Sequence, residues 1–350
     1  MTGPSPWSNR SRSASRHVSA SLGSRRRLLV AGSLLAVVGL ALLAVGCGSS
    51  TTSSSTSPTA SASTTTVAGV TITSDPALYA MLPSSIKSAG EIRVASDIPY
   101  PPWEYYVSAG SSQVTGFDYD LSQALGAKIG IKAAFIQTPF DSIILSVQGG
   151  KRDMIMSDMY DNAEREKVLT FVDYAYDGTS ILVPKGNPSG VTNLDSLAGK
   201  TVACESGTTQ QKLLQTLNTQ FKSSGKPQMN ILALPNQPAA LLAVKSGRAV
   251  GDLTDHSTAE YIAKTTNNGN TYEVVADPSA PNGYEPQVVG VGILKSNTQL
   301  IDTVQKALQA LINDGAYKTI IDKYGLLPVT SAQINQGPGY SASATASPSP

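Results

Sequence analysis

The sequence predicts an α/β protein of two lobes, each a parallel-rich sheet flanked by helices, the lobes joined by two crossing strands. Three observations predict it. Strand-like and helix-like runs alternate through two successive sets, an order that builds a parallel sheet with helices on its faces. About 260 residues lie between two charge-free ends rich in Ser, Thr and Ala, room for two lobes at roughly 100–200 residues per domain. Two further strand-like runs flank the second set on both sides, placed to carry the chain out of the first lobe and back.

In the first set, Glu91-Ile92-Arg93-Val94-Ala95 reads as a short strand. It ends in Asp97-Ile98-Pro99-Tyr100-Pro101-Pro102, a rigid loop that cannot continue a ladder. From Asp118 to Ile129, Leu121, Leu125 and Ile129 make a helical stripe, with Gly130 as stop. Ala133–Ile136 is a strand, Asp141–Gln148 a helix closed by Gly149-Gly150, and Met154–Met156 a strand. In the second set Thr201–Cys204, Met229–Leu232 and Ala249–Leu253 are strands, separated and followed by helices at Thr208–Leu217, Gln237–Val244 and Ser257–Lys264. Thr179–Val183 and Val288–Leu294 are the crossing strands, and helices Gln299–Ile312 and Ala316–Tyr324 pack back on the first lobe. The expected organisation is therefore lobe 1 over 75–184, lobe 2 over 185–288, a return to lobe 1 over 289–332 and a disordered tail over 333–350.

Ahead of the lobes, residues 1–27 hold six arginines and no acid, and an apolar run from Leu28 to Val45 stops at Gly46-Cys47. These are the parts of an export signal over 1–46. Leu43-Ala44-Val45-Gly46-Cys47 resembles a bacterial lipobox, which implies lipidation of Cys47; the position three before the cysteine is Ala44, where lipoboxes prefer Leu. Ser24-Arg25-Arg26-Arg27-Leu28-Leu29 also resembles a twin-arginine signal, and an arginine cluster serves the general secretory route equally well. The alternative is an uncleaved anchor, since the run approaches the roughly 17–25 residues that span a bilayer. Gly32, Ser33 and Gly39 dilute it and nothing basic follows, which favours the lipoprotein. Both readings place the body outside the cytoplasm at the outer face of the cell membrane. The uncharged stretch that follows is expected to be a flexible tether, 47–74 in all, because it buries too little surface to offset the cost of ordering.

Composition excludes several classes. From residue 75 onward there are 20 basic and 25 acidic residues, a balance of about −5 that argues against nucleic acid and against an electrostatic membrane patch. Past Cys47 only Cys204 remains, so no intramolecular disulfide forms. The body has one histidine, His256, and one cysteine, Cys204, which makes a transition-metal site there unexpected, and nothing calls for a cofactor.

In parallel α/β sheets ligands sit beyond the carboxyl ends of the strands. That rule selects the loops Asp97–Glu104, Thr138–Asp141, Ser157–Arg165 and Glu205–Gln210, with Thr254–His256 beside them. In Glu205-Ser206-Gly207-Thr208-Thr209-Gln210, Gly207 permits a close turn and Thr208 places amides at a helix N-terminus, an anion site or else a plain N-cap. Arg165, early in a short helix, suits a carboxylate by bidentate bonding, or else pairs on the surface with Asp161. Asp255 follows a strand and suits an ammonium, or else caps the next helix. Tyr100, Trp103 and Phe140 stand in strand-end loops as aromatic walls, or else as core.

Together these segments resemble the family 3 extracytoplasmic solute-binding proteins, the polar amino acid receptors of ABC importers. The resemblance runs from about Leu82 to Tyr324. It is carried by Tyr100-Pro101-Pro102-Trp103-Glu104, Gly116-Phe117-Asp118-Tyr119-Asp120-Leu121 and Phe140-Asp141-Ser142-Ile143-Ile144-Leu145. It continues through Gly150-Lys151-Arg152-Asp153, Glu164-Arg165, Phe171-Val172-Asp173-Tyr174, Gly207-Thr208-Thr209-Gln210 and Asp255. It implies the two-lobe, type II periplasmic-binding-protein fold, with Arg165 on a ligand α-carboxylate, the Thr208 amide helping it, Asp255 on the α-ammonium, and Tyr100 and Phe140 around the ligand side chain. Two positions depart from the family pattern. Asp158 stands where Gly or Ser is usual and Tyr160 where Thr or Ser is usual, both beside Arg165. Asp158 either competes with the ligand carboxylate for Arg165 or, with Glu104, selects a basic amino acid or guanidino compound, or else both acids pair with a nearby Arg or Lys.

The resemblance further implies a monomer that closes on its ligand by a hinge and delivers it to an ABC permease on another chain. A ligand-presenting sensor uses the same residues. A dehydratase-like enzyme shares the fold, but no nucleophile–base pair is visible, with Cys204 inside a strand and His256 without an evident partner; the expectation is a binding protein and not an enzyme.

Overall fold

The computed structural model describes residues 62–337. The export signal, Cys47 and the tail beyond 337 lie outside the described residues, and so does most of the expected tether. Its end does not. Residues 64–73 form a hairpin, β1 (Thr64–Val67) and β2 (Val70–Thr73), where a tether was expected. The reason is local: both strands are made entirely of β-branched residues, and Val67 and Ile72 are buried in the lobe 1 core.

Two short helices, α1 (Pro76–Met81) and α2 (Ser84–Ala89), lead to β3 (Glu91–Ser96). A small hairpin, β4 (Tyr105–Tyr106) with β5 (Val114–Thr115), precedes α3 (Phe117–Ile129). Then come β6 (Lys132–Gln137), α4 (Ile143–Gln148) and β7 (Met154–Ile155). The long β8 (Leu169–Pro184) leaves this lobe. The second lobe holds β9 (Thr201–Glu205), α5 (Thr209–Ser223), β10 (Asn230–Leu234), α6 (Gln237–Lys245), β11 (Gly251–Asp255), α7 (His256–Thr265) and β12 (Tyr272–Val274). The chain returns through β13 (Tyr284–Leu294) to α8 (Thr298–Asn313), α9 (Ala316–Tyr324) and β14 (Leu327–Pro328).

One hydrogen-bonded path runs β10-β9-β11-β8-β13-β7-β3-β6, with β12 and β14 also on β8. Within lobe 1, β3 pairs parallel with β6 and β7; within lobe 2, β9 pairs parallel with β10 and β11. β8 belongs to both lobes. Its first half runs antiparallel to β13, from Leu169 opposite Leu294 to Tyr176 opposite Val288. Its second half runs antiparallel to β11, from Thr179 opposite Asp255 to Leu182 opposite Asp252. The two crossing strands are therefore longer than Thr179–Val183 and Val288–Leu294, and they are partners of each other. Their crossing is marked by a register shift between Tyr284 and Gln287. Gly283 (φ 85°) makes it possible, because a Cβ there would lie 2.8 Å from the Thr179 nitrogen.

Each sheet is buried on both faces, as parallel sheets require. On β3, Ile92 and Val94 join the large core beneath α3 and α8, while Ala95 joins the core under α4. On β9, Val202 and Cys204 face one core and Ala203 the other. The far end of the described chain is also fixed. Ile334 bridges to Val172, the Gln336 N–H donates to Asp173 at 3.0 Å, and the Gly337 N–H donates to Asp161 at 2.8 Å. Residues 333–337 thus belong to the ordered body rather than to the expected tail.

Candidate functional site

The carboxyl ends of β3, β6 and β7 in lobe 1 meet those of β9 and β11 in lobe 2 around one cavity with about 320 Å³ of empty space. Tyr100, Phe140, Asp158, Tyr160 and Arg165 line it from lobe 1, and Thr208 and Asp255 from lobe 2. Seven of the nine sequence-expected ligand residues are therefore brought together.

Arg165 opens a single 3₁₀ turn (Arg165–Lys167), and its N–H donates to Asn162 Oδ1 at 3.0 Å. Its guanidinium lies over the Phe140 ring, 5.4 Å from the centroid, and donates to the Tyr160 carbonyl at 2.8 Å. Burial pulls its pKa down to about 10, which leaves it a cation at neutral pH. The alternative pairing with Asp161 is not realised: Oδ2 of Asp161 accepts from Gly337.

Thr208 does both things expected of it. Its Oγ1 caps α5 by accepting from the Gln211 N–H at 3.2 Å, and the residue lines the cavity. Asp255 makes no side-chain cap. Its carboxylate instead accepts from the Tyr100 hydroxyl at 2.5 Å and from Gln210 Nε2 at 2.6 Å. Burial pushes the Asp255 carboxyl up to about 6, opposed by the hydrogen bonds it accepts. Because Tyr100 comes from lobe 1 and Asp255 from lobe 2, that bond ties the lobes together across the cleft. A second tie runs from Tyr100 to Thr254 Oγ1 at 2.8 Å.

Two expected residues stand outside the cavity wall. Trp103 is fully buried, edge-on to Phe117 and Tyr174, with Nε1 donating to Ser257 Oγ at 2.9 Å. An indole this large gains more from a closed core than from a wet cleft, so it is core and a tie to α7 instead of a ligand wall. Gly207 (φ 81°) does not touch the cavity either. A Cβ there would lie 3.1 Å from Asp141 Cα, so its bareness lets the lobe 2 loop approach lobe 1. Glu104 also lies behind the wall: fully buried, it accepts from the Ser157 hydroxyl at 2.7 Å, and burial raises its pKa strongly.

Asp158 is the unusual group. Its backbone is held at φ 41°, and its N–H donates to Asp118 Oδ2 at 2.8 Å. Burial, then the nearby Asp255 and Asp177, push its carboxyl well above the ordinary range. One oxygen from each of Asp158, Asp177 and Asp255 lies within 4.8 Å of the others. Tyr160 is fully buried and donates to the Gly178 carbonyl at 2.9 Å.

Asp97, Ser157, Glu205, Thr209 and Gln210 also line the cavity. All five sit in the loops that the strand-end rule selects, so the signal for them was present but not specific. Asp177 lies inside β8, where no strand-end rule reaches. His256 bonds Ser180 Oγ through Nδ1 at 2.8 Å, and Cys204 is buried with its thiol pushed up to about 12. Neither lines the cavity.

The family model described as bacterial extracellular solute-binding proteins, family 3, matches residues 92–326. The chain belongs to that family. Among its relatives is a putative ABC transporter arginine-binding protein 2 of Escherichia coli (strain K12), 29% identical over 248 residues, which cover 71% of this chain and 96% of that protein. The lysine/arginine/ornithine-binding periplasmic protein of the same organism is 28% identical over 256 residues, 73% of this chain and 93% of that protein. Among solved structures, an ancestral arginine-binding protein bound to arginine superposes with a TM-score of 0.60 at 30% identity, covering 67% of this chain and 98% of that one. The ancestral amino acid-binding protein AncCDT-1, a precursor of cyclohexadienyl dehydratase, gives 0.59 at 31% identity, covering 69% and 97%. These neighbours have the type II periplasmic-binding-protein fold, a mixed α/β architecture that this chain shares. No helix among the described residues is long and apolar enough to cross a membrane.

Proposed function

We propose that this family 3 protein is a monomeric, membrane-tethered receptor that captures an amino acid in its interlobe cavity and delivers it to the permease of an ABC transporter. One observation carries the reading: a buried guanidinium, Arg165, and a buried carboxylate, Asp255, face the same cavity from different lobes. A zwitterion satisfies both at once. The ligand carboxylate takes the Arg165 fork and the amide end of α5 at Thr208. The ligand ammonium takes Asp255, and Tyr100, Phe140 and Tyr160 enclose the remainder.

Touching both lobes is what makes such a ligand favour closure. Its contacts are complete only in the closed form, and that difference shifts the population. β8 and β13 are the only route between the lobes that the sheet provides among the described residues, and the bend is assigned to their crossing. The relatives' roles in ABC transport support the permease as partner. The lipobox at Cys47 supports the tether, which holds the receptor near the permease at high effective concentration.

The test is a thermal-shift screen of the purified full-length protein against the proteinogenic amino acids. One or a few raise Tm in wild type, and Arg165→Ala and Asp255→Ala abolish the rise. A panel with no shift in wild type sinks the reading. For the tether, Cys47→Ser moves the protein from the membrane fraction to the soluble fraction; equal membrane retention contradicts lipidation at that residue.

A further inference from the structure

The turn that carries Arg165 is tied to the rest of the fold at its two ends. Asp161 donates its N–H to the Val288 carbonyl at 2.8 Å, and the Val168 carbonyl accepts from the Lys295 N–H at 3.2 Å. Among the described residues, the backbone bonds of 162–167 stay within the turn, with the Arg165 N–H on Asn162 Oδ1. A segment with so few outside bonds opens locally at low free energy. Arg165 itself is only 9% exposed, and its guanidinium donates to the Tyr160 carbonyl at the entry to the turn. That entry is where support is needed.

Residues 333–337 supply it. Ala332 is first fixed to α8, its N–H on Gln309 and its carbonyl on Gln305, both at 3.0 Å. The chain then follows the edge of β8. The Gln333 carbonyl accepts from the Asp173 N–H at 3.0 Å, and Asn335 accepts from the Phe171 N–H at 2.8 Å while donating back to the Phe171 carbonyl at 3.2 Å. It ends by placing two backbone donors on two carboxyl groups that are each 1% exposed, Gln336 on Asp173 and Gly337 on Asp161. A buried carboxyl without a donor is unfavourable, so each bond holds its partner in place. Gly337 is the point of closest approach: a Cβ there would overlap the Asp161 carbonyl and lie 2.8 Å from Asp161 Cγ. Asp161 in turn shares a peptide with the Tyr160 carbonyl that receives Arg165. We infer that residues 333–337 form a strap that positions Arg165, with Gly337 as its positioning residue. This rests on the function proposed above and gives that site a segment past residue 326, where the family match ends.

The experiment compares the full-length protein with Gly337→Ala, Asp161→Ala and Asp161→Asn. Hydrogen-exchange mass spectrometry is run on the free proteins, and each is titrated with the proteinogenic amino acids one by one. Losing one hydrogen bond to a buried carboxyl corresponds to roughly a tenfold factor in an equilibrium. Gly337→Ala and Asp161→Ala, which break the same contact from opposite sides, are each expected to speed exchange in the 157–168 peptide about tenfold. Exchange in α4 stays at the wild-type rate, and affinity for the amino acid that wild type binds falls by about the same factor. Asp161→Asn keeps an acceptor for the Gly337 N–H and stays close to wild type in both readouts. Unchanged exchange in 157–168 overturns the strap, and so does an equal rise in α4, which marks general loosening of lobe 1. Faster exchange confined to 157–168 with wild-type affinity shows a held turn that does not position Arg165, and overturns the inference. If wild type binds no amino acid, the proposed function fails, and exchange alone then decides for or against the strap.

Discussion

On the proposed reading, Arg165 is held ready for a ligand carboxylate before the ligand arrives. Stacking on Phe140 and one bond to the Tyr160 carbonyl fix the guanidinium in the cleft, so little rotamer freedom remains to be lost on binding. Its planar fork matters as well as its charge. Arg165→Lys keeps the charge and loses the parallel pair of donors, so it should lose about 1.5–3 kcal/mol of affinity for a carboxylate-bearing ligand, and Arg165→Ala more. Titration of the screened ligand into both variants measures this; a lysine variant with wild-type affinity rules out bidentate recognition. The same scale separates Trp103 from Tyr100. Both aromatics sit in one proline-rich loop, but Tyr100 reaches Asp255 while Trp103 is packed on Phe117.

At the scale of elements, β8 and β13 decide the mechanics. Each runs from one lobe into the other, and at the crossing Gly178, within β8, and Gly283, just before β13, let the two backbones approach closely. Gly283→Ala places a Cβ against backbone at a φ of 85°, and strain of this kind costs about 1–3 kcal/mol. The expected result is a urea midpoint lowered in proportion, with the slope unchanged. An unaltered midpoint means the crossing tolerates a side chain and is looser than described. The β1–β2 hairpin teaches a second point at this scale. Its composition continues the uncharged tether, but its β-branched residues favour a strand and the burial of Val67 and Ile72 adds it to the core.

Across the whole molecule, the notable feature is how many acids are buried. Asp173 and Asp177 are pushed up to about 8, and Asp118 and Asp252 to about 7, in each case chiefly by burial. The unfolded chain releases these protons near pH 4. Between about pH 4 and 8 the folded state therefore binds more protons than the unfolded one, and stability must fall as pH rises through that window. Tm is expected to be higher at pH 5 than at pH 8 for the free protein. A melting temperature that rises from pH 5 to pH 8 contradicts the burial of these groups as carboxylic acids.

Much of this was legible in the sequence, for physical reasons. Hydrophobic period and turn residues mark each strand and helix locally, and the strand-end rule then names the loops that hold Tyr100, Phe140, Arg165, Thr208 and Asp255. The tertiary structure decided what local pattern does not encode. Burial sent Trp103 and Glu104 behind the wall and brought Asp177 into the cluster from the middle of a strand. The closeness of the lobes turned Gly207 into a contact point rather than a ligand residue. Packing likewise ordered residues 64–73 and 333–337, whose composition alone reads as tether and tail. Order along the chain is set by neighbours in sequence; which buried side chain is left without a partner is set by neighbours in space, and at Asp158 only the second could be decisive.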